Sequence, residues 1–246
     1  MRGAARAAVA VVAMTLLSTR GLSKEFGGLH AVHDVDFDLT EGEIRALIGP
    51  NGAGKTTFVS LRSGRIAPTS GTVRFAGRDV SRLPAHTRIS LGIAYTFQIT
   101  SVFARLSAHE NVALAVRRRG GSERTDVPAA LDRVGLLDRQ NDIAGDLSYG
   151  HQRLLEIAMG LAQKPRLLIL DEPTQGLADS EITSFCKLVR GLVPETTVLL
   201  IEHNMNVVMQ TAERISVLNF GELLAEGTPE EIRANADVQA AYLGSG

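Results

Sequence analysis

Apolar residues along this chain follow three patterns, and their order predicts an α/β fold. From Leu16 to Ile48 short strand-like runs alternate with turns. There Ala31, Val32, Val35, Phe37 and Leu39 fall mostly at alternate positions, as in a strand with one buried face. A second pattern is short and nearly continuously apolar: Ile44, Ala46, Leu47 and Ile48, then residues 167–170, then 197–201. Such runs suit strands of a parallel sheet covered on both sides. The third pattern has apolar spacing at i, i+3 and i+4 and dominates from about 103 to 164, at residues 111–116, 129–137 and 153–162. It predicts an inserted helical subdomain.

Punctuation between the runs sharpens the boundaries. Pro68, Thr69, Ser70 and Gly71 make a strong turn before a strand at 72–75, and Pro165 stops the last inserted helix. A helix over about 180–192 separates the strands at 167–170 and 197–201, and this βαβ alternation predicts parallel pairing. Residues 215–227 read as a hairpin turning at 219–221. Thr228, Pro229 and Glu231 then open a C-terminal helix of about 228–243, with a capping box and a proline at its first position. Arg117, Arg118 and Arg119 through Arg124 have the composition of an exposed loop, read as a solvated face in preference to a contact with anionic lipid.

With 44% hydrophobic residues among 246, the chain carries enough apolar material for one large domain, placed at 14–246. Residues 1–13 read as a disordered extension, because their apolar run is shorter than a membrane span and 16–20 already look like the first strand. Twenty-six basic residues against 27 acidic ones leave no electrostatic footprint for nucleic acid, so no nucleic-acid partner is expected. The single Cys186 lies in a helical apolar stretch and reads as a small buried hydrophobe, which fits a reducing compartment.

The chemistry begins at residues 49–57: Gly49, Pro50, Asn51, Gly52, Ala53, Gly54, Lys55, Thr56 and Thr57. Gly49, four residues, then Gly54, Lys55 and Thr56 is the spacing of a phosphate-binding loop, in which backbone N–H groups turn inward on a polyphosphate. A strand precedes it and a helix follows, so the helix dipole faces the anion. Lys55 would reach the terminal phosphates and the Thr56 hydroxyl would ligate Mg2+. Two of the apolar strands end on polar chemistry, Asp171 with Glu172 and Glu202 with His203, where ligands gather in parallel sheets. Asp171 would hold Mg2+ and Glu172 would orient and deprotonate the attacking water.

About ninety residues after the loop, Leu147, Ser148, Tyr149, Gly150, His151 and Gln152 open a strongly amphipathic helix. With this stretch the chain resembles the ATP-binding cassette family from about residue 16 to the end. The resemblance implies a P-loop NTPase core with a parallel sheet, an antiparallel β subdomain and the inserted helical subdomain. It also implies that two cassettes bind head to tail, identical or sister chains, with Ser148 to Gln152 closing on the ATP held by the partner. Residue by residue it makes Phe26 an adenine platform, with a buried core phenylalanine as the alternative, and Gln98 a contact to Mg2+ and the attacking water. His203 becomes the contact to the γ-phosphate, and Gly176 to Asp179 the loop facing the partner cassette. The wording is similar to that of branched-chain amino-acid importer ATPases, although Tyr95 stands where that subgroup usually has arginine and His151 where the signature more usually has glutamine or another polar residue. The resemblance therefore implies ATP and Mg2+ as cofactors and ATP hydrolysis coupled to transport. It implies two membrane permeases and a periplasmic binding protein as partners, and a peripheral place on the cytoplasmic face of the inner membrane. Lipopolysaccharide export, urea or amide import, and a soluble non-transport cassette are the alternatives.

Overall fold

The computed structural model describes residues 14–96 and 101–243. Its first two strands, β1 (Thr15–Phe26) and β2 (Leu29–Thr40), form a long antiparallel hairpin. In β2 the buried positions run Val32, Val35, Phe37, Leu39, so the alternation slips once, between 32 and 35. Asp34 takes a positive φ of 47° there and the register shifts, a bulge that keeps every apolar side chain on the core face. Strand β3 (Ile44–Ile48) leads into the loop and α1 (Lys55–Ser63). Then follow β4 (Ser70–Phe75), β5 (Arg78–Asp79), α2 (Ala85–Ser90) and β6 (Ile93–Thr96). The antiparallel subdomain is a four-stranded sheet in the order β2-β1-β4-β5.

The inserted segment holds α3 (Ala108–Arg119), α4 (Glu123–Arg133) and α5 (Tyr149–Leu161), joined by two single 3-10 turns. A capping box of Ser107 and Glu110 starts α3. The exposed loop expected around Arg117 to Arg124 shrinks to residues 120–122. All three arginines belong to the last turn of α3, where cations complement the helix dipole. Arg117 pairs with Glu123 and Arg119 with Asp126, so this region is a tied helix junction.

After α5 come β7 (Leu167–Asp171), α6 (Asp179–Arg190), β8 (Thr197–Ile201), α7 (Met205–Thr211), β9 (Arg214–Asn219) and β10 (Glu222–Gly227). The second sheet runs β10-β9-β3-β8-β7-β6, parallel throughout except for the edge strand β10. β3, β7 and β8 are buried at every position, as their continuous apolar runs require. Cys186 is buried on α6. The expected C-terminal helix is two, α8 (Pro229–Ala234) and α9 (Ala236–Leu243), broken at Asn235, whose extended backbone ends α8. Thr228, Pro229 and Glu231 make the expected capping box.

One core lies between the two sheets, where Phe37 and Phe58 pack edge to face, with ring centroids 5.8 Å apart. A second joins the other face of the parallel sheet to the helical insert. Strand ends β3, β7 and β8 therefore open side by side at one rim, between a rigid sheet and the loop of α1.

Candidate functional site

Residues 49–57 fold as a tight loop between β3 and α1, and two glycines make that path available. At Gly49 a Cβ would sit 2.2 Å from the Leu218 carbonyl oxygen. At Gly54, with φ at 95°, it would sit 2.3 Å from that of Ala31. No side chain caps α1, which leaves the N–H groups of its first turn available to an anion. Lys55 is folded back, its Nζ donating to the carbonyls of Gly49 (2.6 Å) and Pro50 (2.9 Å). Burial lowers the Lys55 pKa, while the nearby negative charges of Glu172 and Asp171 oppose the shift.

The loop opens into a cleft of about 620 Å3 lined by Leu29, His30 and Ala31 of β2, residues 51–57, Glu172, His203 and Phe220. The acids come from the end of β7. Asp171 is buried, and burial raises its carboxyl pKa; its Oδ2 accepts a 2.6 Å hydrogen bond from the Tyr95 hydroxyl. Glu172 turns out of the strand with φ at 48°, and its backbone N–H donates to the Ile201 carbonyl of β8. That turn aims its side chain across the rim, where Oε1 lies 2.5 Å from Nε2 of His203. Neighbouring Glu202 points inward instead, accepting from the Thr174 hydroxyl and N–H and from the N–H of His203. One strand end thus supplies a buried acceptor that fixes the backbone and an exposed imidazole in the cleft.

Ser148, Tyr149, Gly150, His151 and Gln152 are together at the start of α5, and none lines this cleft. Ser148 is the N-cap, its Oγ accepting from the His151 N–H, and the Gln152 side chain donates to the Leu147 carbonyl. Arg139 donates to His151 Nδ1 at 2.7 Å. A Cβ on Gly150 would sit 2.2 Å from Glu181 Oε1, so the start of α5 lies directly against the Glu181 carboxylate in the first turn of α6. Phe26 is about half exposed under the Lys24 ammonium, 5.0 Å from the ring centroid, and does not line the cleft. The alternative of a buried core phenylalanine is thereby corrected, because Phe26 stands at the hairpin tip beyond the last buried position of β1. Gln98 lies outside the described residues.

Three features of the site were not read from the sequence. Arg153 of α5, 2% exposed, pairs with Glu156 at 2.8 Å and donates to the carbonyls of Asp171 (3.5 Å) and Glu172 (3.2 Å). It braces the turn that carries both acids. Tyr242 of α9 takes a hydrogen bond from the Gly49 backbone, tying the C-terminus to the start of the loop. Tyr95 reaches Asp171 from the neighbouring strand. Only its position three residues before Gln98 hinted at proximity.

The donor set of the cleft rim is a threonine hydroxyl at the start of α1 and strand-end carboxylates, hard oxygens of the kind Mg2+ prefers. Among the described residues no cluster of three or more His, Cys, Asp or Glu side chains forms a protein cage for a metal.

Residues 32–175 match the family described as ABC transporter, and residues 222–246 match the one described as branched-chain amino acid ATP-binding cassette transporter. The chain is 43% identical to the high-affinity branched-chain amino acid transport ATP-binding protein LivG of Salmonella typhimurium, over 93% of this chain and 98% of that protein. It is 41% identical to the high-affinity branched-chain amino acid transport ATP-binding protein BraF of Pseudomonas aeruginosa, with the same coverage of 93% and 98%. Among solved structures it is similar to the ADP conformation of an ATP-binding cassette of an ABC transporter, with a TM-score of 0.85, 27% identity, and 94% and 99% of the two chains covered.

Proposed function

This chain belongs to the ABC transporter family as an ATP-binding cassette, and on that premise we propose that it is the ATP-hydrolysing subunit of an importer of branched-chain amino acids. The observation that carries the catalytic reading is one cleft in which the phosphate loop, Glu172 and His203 converge. The cargo reading is supported by the relatives' names at 41% and 43% identity and by the C-terminal match.

In this reading the backbone N–H groups of the loop and the first turn of α1 bind the phosphates of ATP, and Lys55 exchanges its two carbonyl partners for phosphate oxygens. Mg2+, when bound, neutralises charge on the phosphate oxygens. Thr56 and Asp171 would hold it, together with Gln98. Glu172 orients the attacking water and accepts its proton, and His203 holds the Glu172 carboxylate while presenting its ring to the terminal phosphate. Phe26 and the hairpin tip flank the adenine end. Ser148, Tyr149, Gly150, His151 and Gln152, placed away from this cleft at a helix N-terminus, serve the ATP of a second cassette.

The complete machine is then a pair of cassettes, homo- or heterodimeric, beneath two membrane permeases and served by a periplasmic binding protein. No helix among the described residues is long and apolar enough to cross a membrane, which accords with a peripheral subunit at the cytoplasmic face. The test of the chemistry is Glu172→Gln. Phosphate release should fall about 10²- to 10⁴-fold while ATP binding persists and an ATP-bound dimer accumulates on a sizing column. Near-normal hydrolysis by that variant would overturn the role of Glu172. The cargo is tested by uptake of radiolabelled leucine, isoleucine and valine into ATP-loaded proteoliposomes carrying the chain with its permeases. Uptake of another solute class alone would reject the cargo and leave the ATPase standing.

A further inference from the structure

Strand β6 forms one edge of the parallel sheet, and its register against β7 pairs Tyr95 with Ile169 and Thr96 with Leu170. Asp171 is two residues beyond Ile169, so it and Tyr95 lie on the same face of the sheet, one diagonal step apart. The Tyr95 hydroxyl spans that step and donates to Asp171 Oδ2 at 2.6 Å. From the other side Arg65 Nη1 donates to the Tyr95 oxygen at 3.3 Å, with the guanidinium 5.4 Å from the ring centroid. Arg65 is the residue after Gly64, the C-cap of α1. A phenol has one proton to give and lone pairs to receive, and here both are used in a single direction, from Arg65 through Tyr95 to Asp171.

We propose that Tyr95 is a positioning residue that fixes the Asp171 carboxylate for the divalent cation that accompanies ATP, with Arg65 steadying the phenol from the far end of the loop's own helix. This rests on the reading of Asp171 as a metal-side carboxylate. A neutral donor suits the task. It holds one carboxylate oxygen in place by a short, charge-assisted hydrogen bond and brings no charge of its own to the site. Because Thr56 lies in the first turn of α1 and Arg65 just beyond its end, the two sides of the cation site are referred to one helix. Without the phenol, Asp171 keeps its burial but loses the bond that sets its orientation.

The test measures metal binding directly. Mn2+ is titrated into the full-length chain with saturating ADP and followed by electron paramagnetic resonance, for the wild type, Tyr95→Phe, Arg65→Gln and Asp171→Asn. ADP affinity is measured separately in chelator. Tyr95→Phe should weaken Mn2+ binding on the order of tenfold, as loss of an outer-shell partner does. Arg65→Gln should shift it in the same direction by less, and ADP affinity in chelator should hold for both. Unchanged Mn2+ binding in Tyr95→Phe alongside weakened binding in Asp171→Asn overturns the proposal and spares the Asp171 reading. Unchanged binding in Asp171→Asn removes that reading, and the proposal with it. Should Tyr95→Phe fail to fold by circular dichroism, exposed Arg65 decides: no shift in Arg65→Gln overturns the proposal.

Discussion

The brace behind the two acids at the end of β7 makes a quantitative prediction. Arg153 and Glu156, one turn apart on α5, are 2% and 6% exposed and joined at 2.8 Å. Removing one member of such a pair strands the other charge in the core, at a cost of about 3–5 kcal/mol. Replacing both by apolar side chains of similar volume removes two desolvation penalties along with their attraction, and is about neutral or stabilising. Burial outweighs Arg153 in setting the Glu156 pKa, which is raised, so desolvation already exceeds the attraction on the carboxylate side. Glu156→Leu should therefore destabilise the chain by about 3–5 kcal/mol, whereas adding Arg153→Met should recover part of that loss, less the cost of the backbone groups the pair also serves, the Ser101 N–H and the Asp171 and Glu172 carbonyls. The cycle is read by urea unfolding followed by circular dichroism, with equal m-values as the check on a common mechanism. Arg153 also donates to the carbonyls of Asp171 and Glu172, so the stable double variant should still hydrolyse ATP more slowly than wild type. Additive losses in the double variant would refute the stranded-charge argument. Full activity in a stable double variant would refute the brace.

Other expectations follow from the same geometry. The raised Glu156 pKa means that the folded chain holds that proton more tightly than the unfolded chain. The carboxylate's contribution to stability therefore falls as pH rises from the unfolded carboxyl value through the folded one. Glu156→Gln, which cannot titrate, should gain on the wild type as pH rises through that window, and urea midpoints measured from pH 4 to 8 check the sign. Gly54→Ala forces a Cβ to 2.3 Å from the Ala31 carbonyl at a φ of 95°, so ATP binding should drop at least tenfold by fluorescence titration while the far-ultraviolet spectrum is kept.

The phosphate loop was legible because its requirements are local. Glycine positions, Lys55 and Thr56 are set by spacing along a strand, turn and helix, and the structure places them there. Strands β7 and β8 were legible for a related reason, since burial on both faces demands an uninterrupted apolar run. Boundaries were lost where two signals competed. The glycines after Arg119 suggested a longer loop, but the helix carries its arginines to the last turn because they favour its C-terminus. Around Asn235 helical composition concealed a break, because a single extended residue leaves the apolar period on either side nearly intact.

By itself the sequence determined an α/β chain with a glycine-rich loop between strand and helix, acids at the ends of two buried strands, and the start of an amphipathic helix at Ser148 to Gln152 ninety residues on. Tertiary structure decided which of these share a cleft. It set Glu172 against His203, turned Glu202 inward, and left Ser148 to Gln152 outside that cleft. It also brought Tyr95 to Asp171, Arg153 behind both acids, and Tyr242 to Gly49. The reason is physical. Periodicity encodes which face of an element is buried, whereas partners far apart in sequence meet through strand order and register, which are fixed only when the sheets close over their cores.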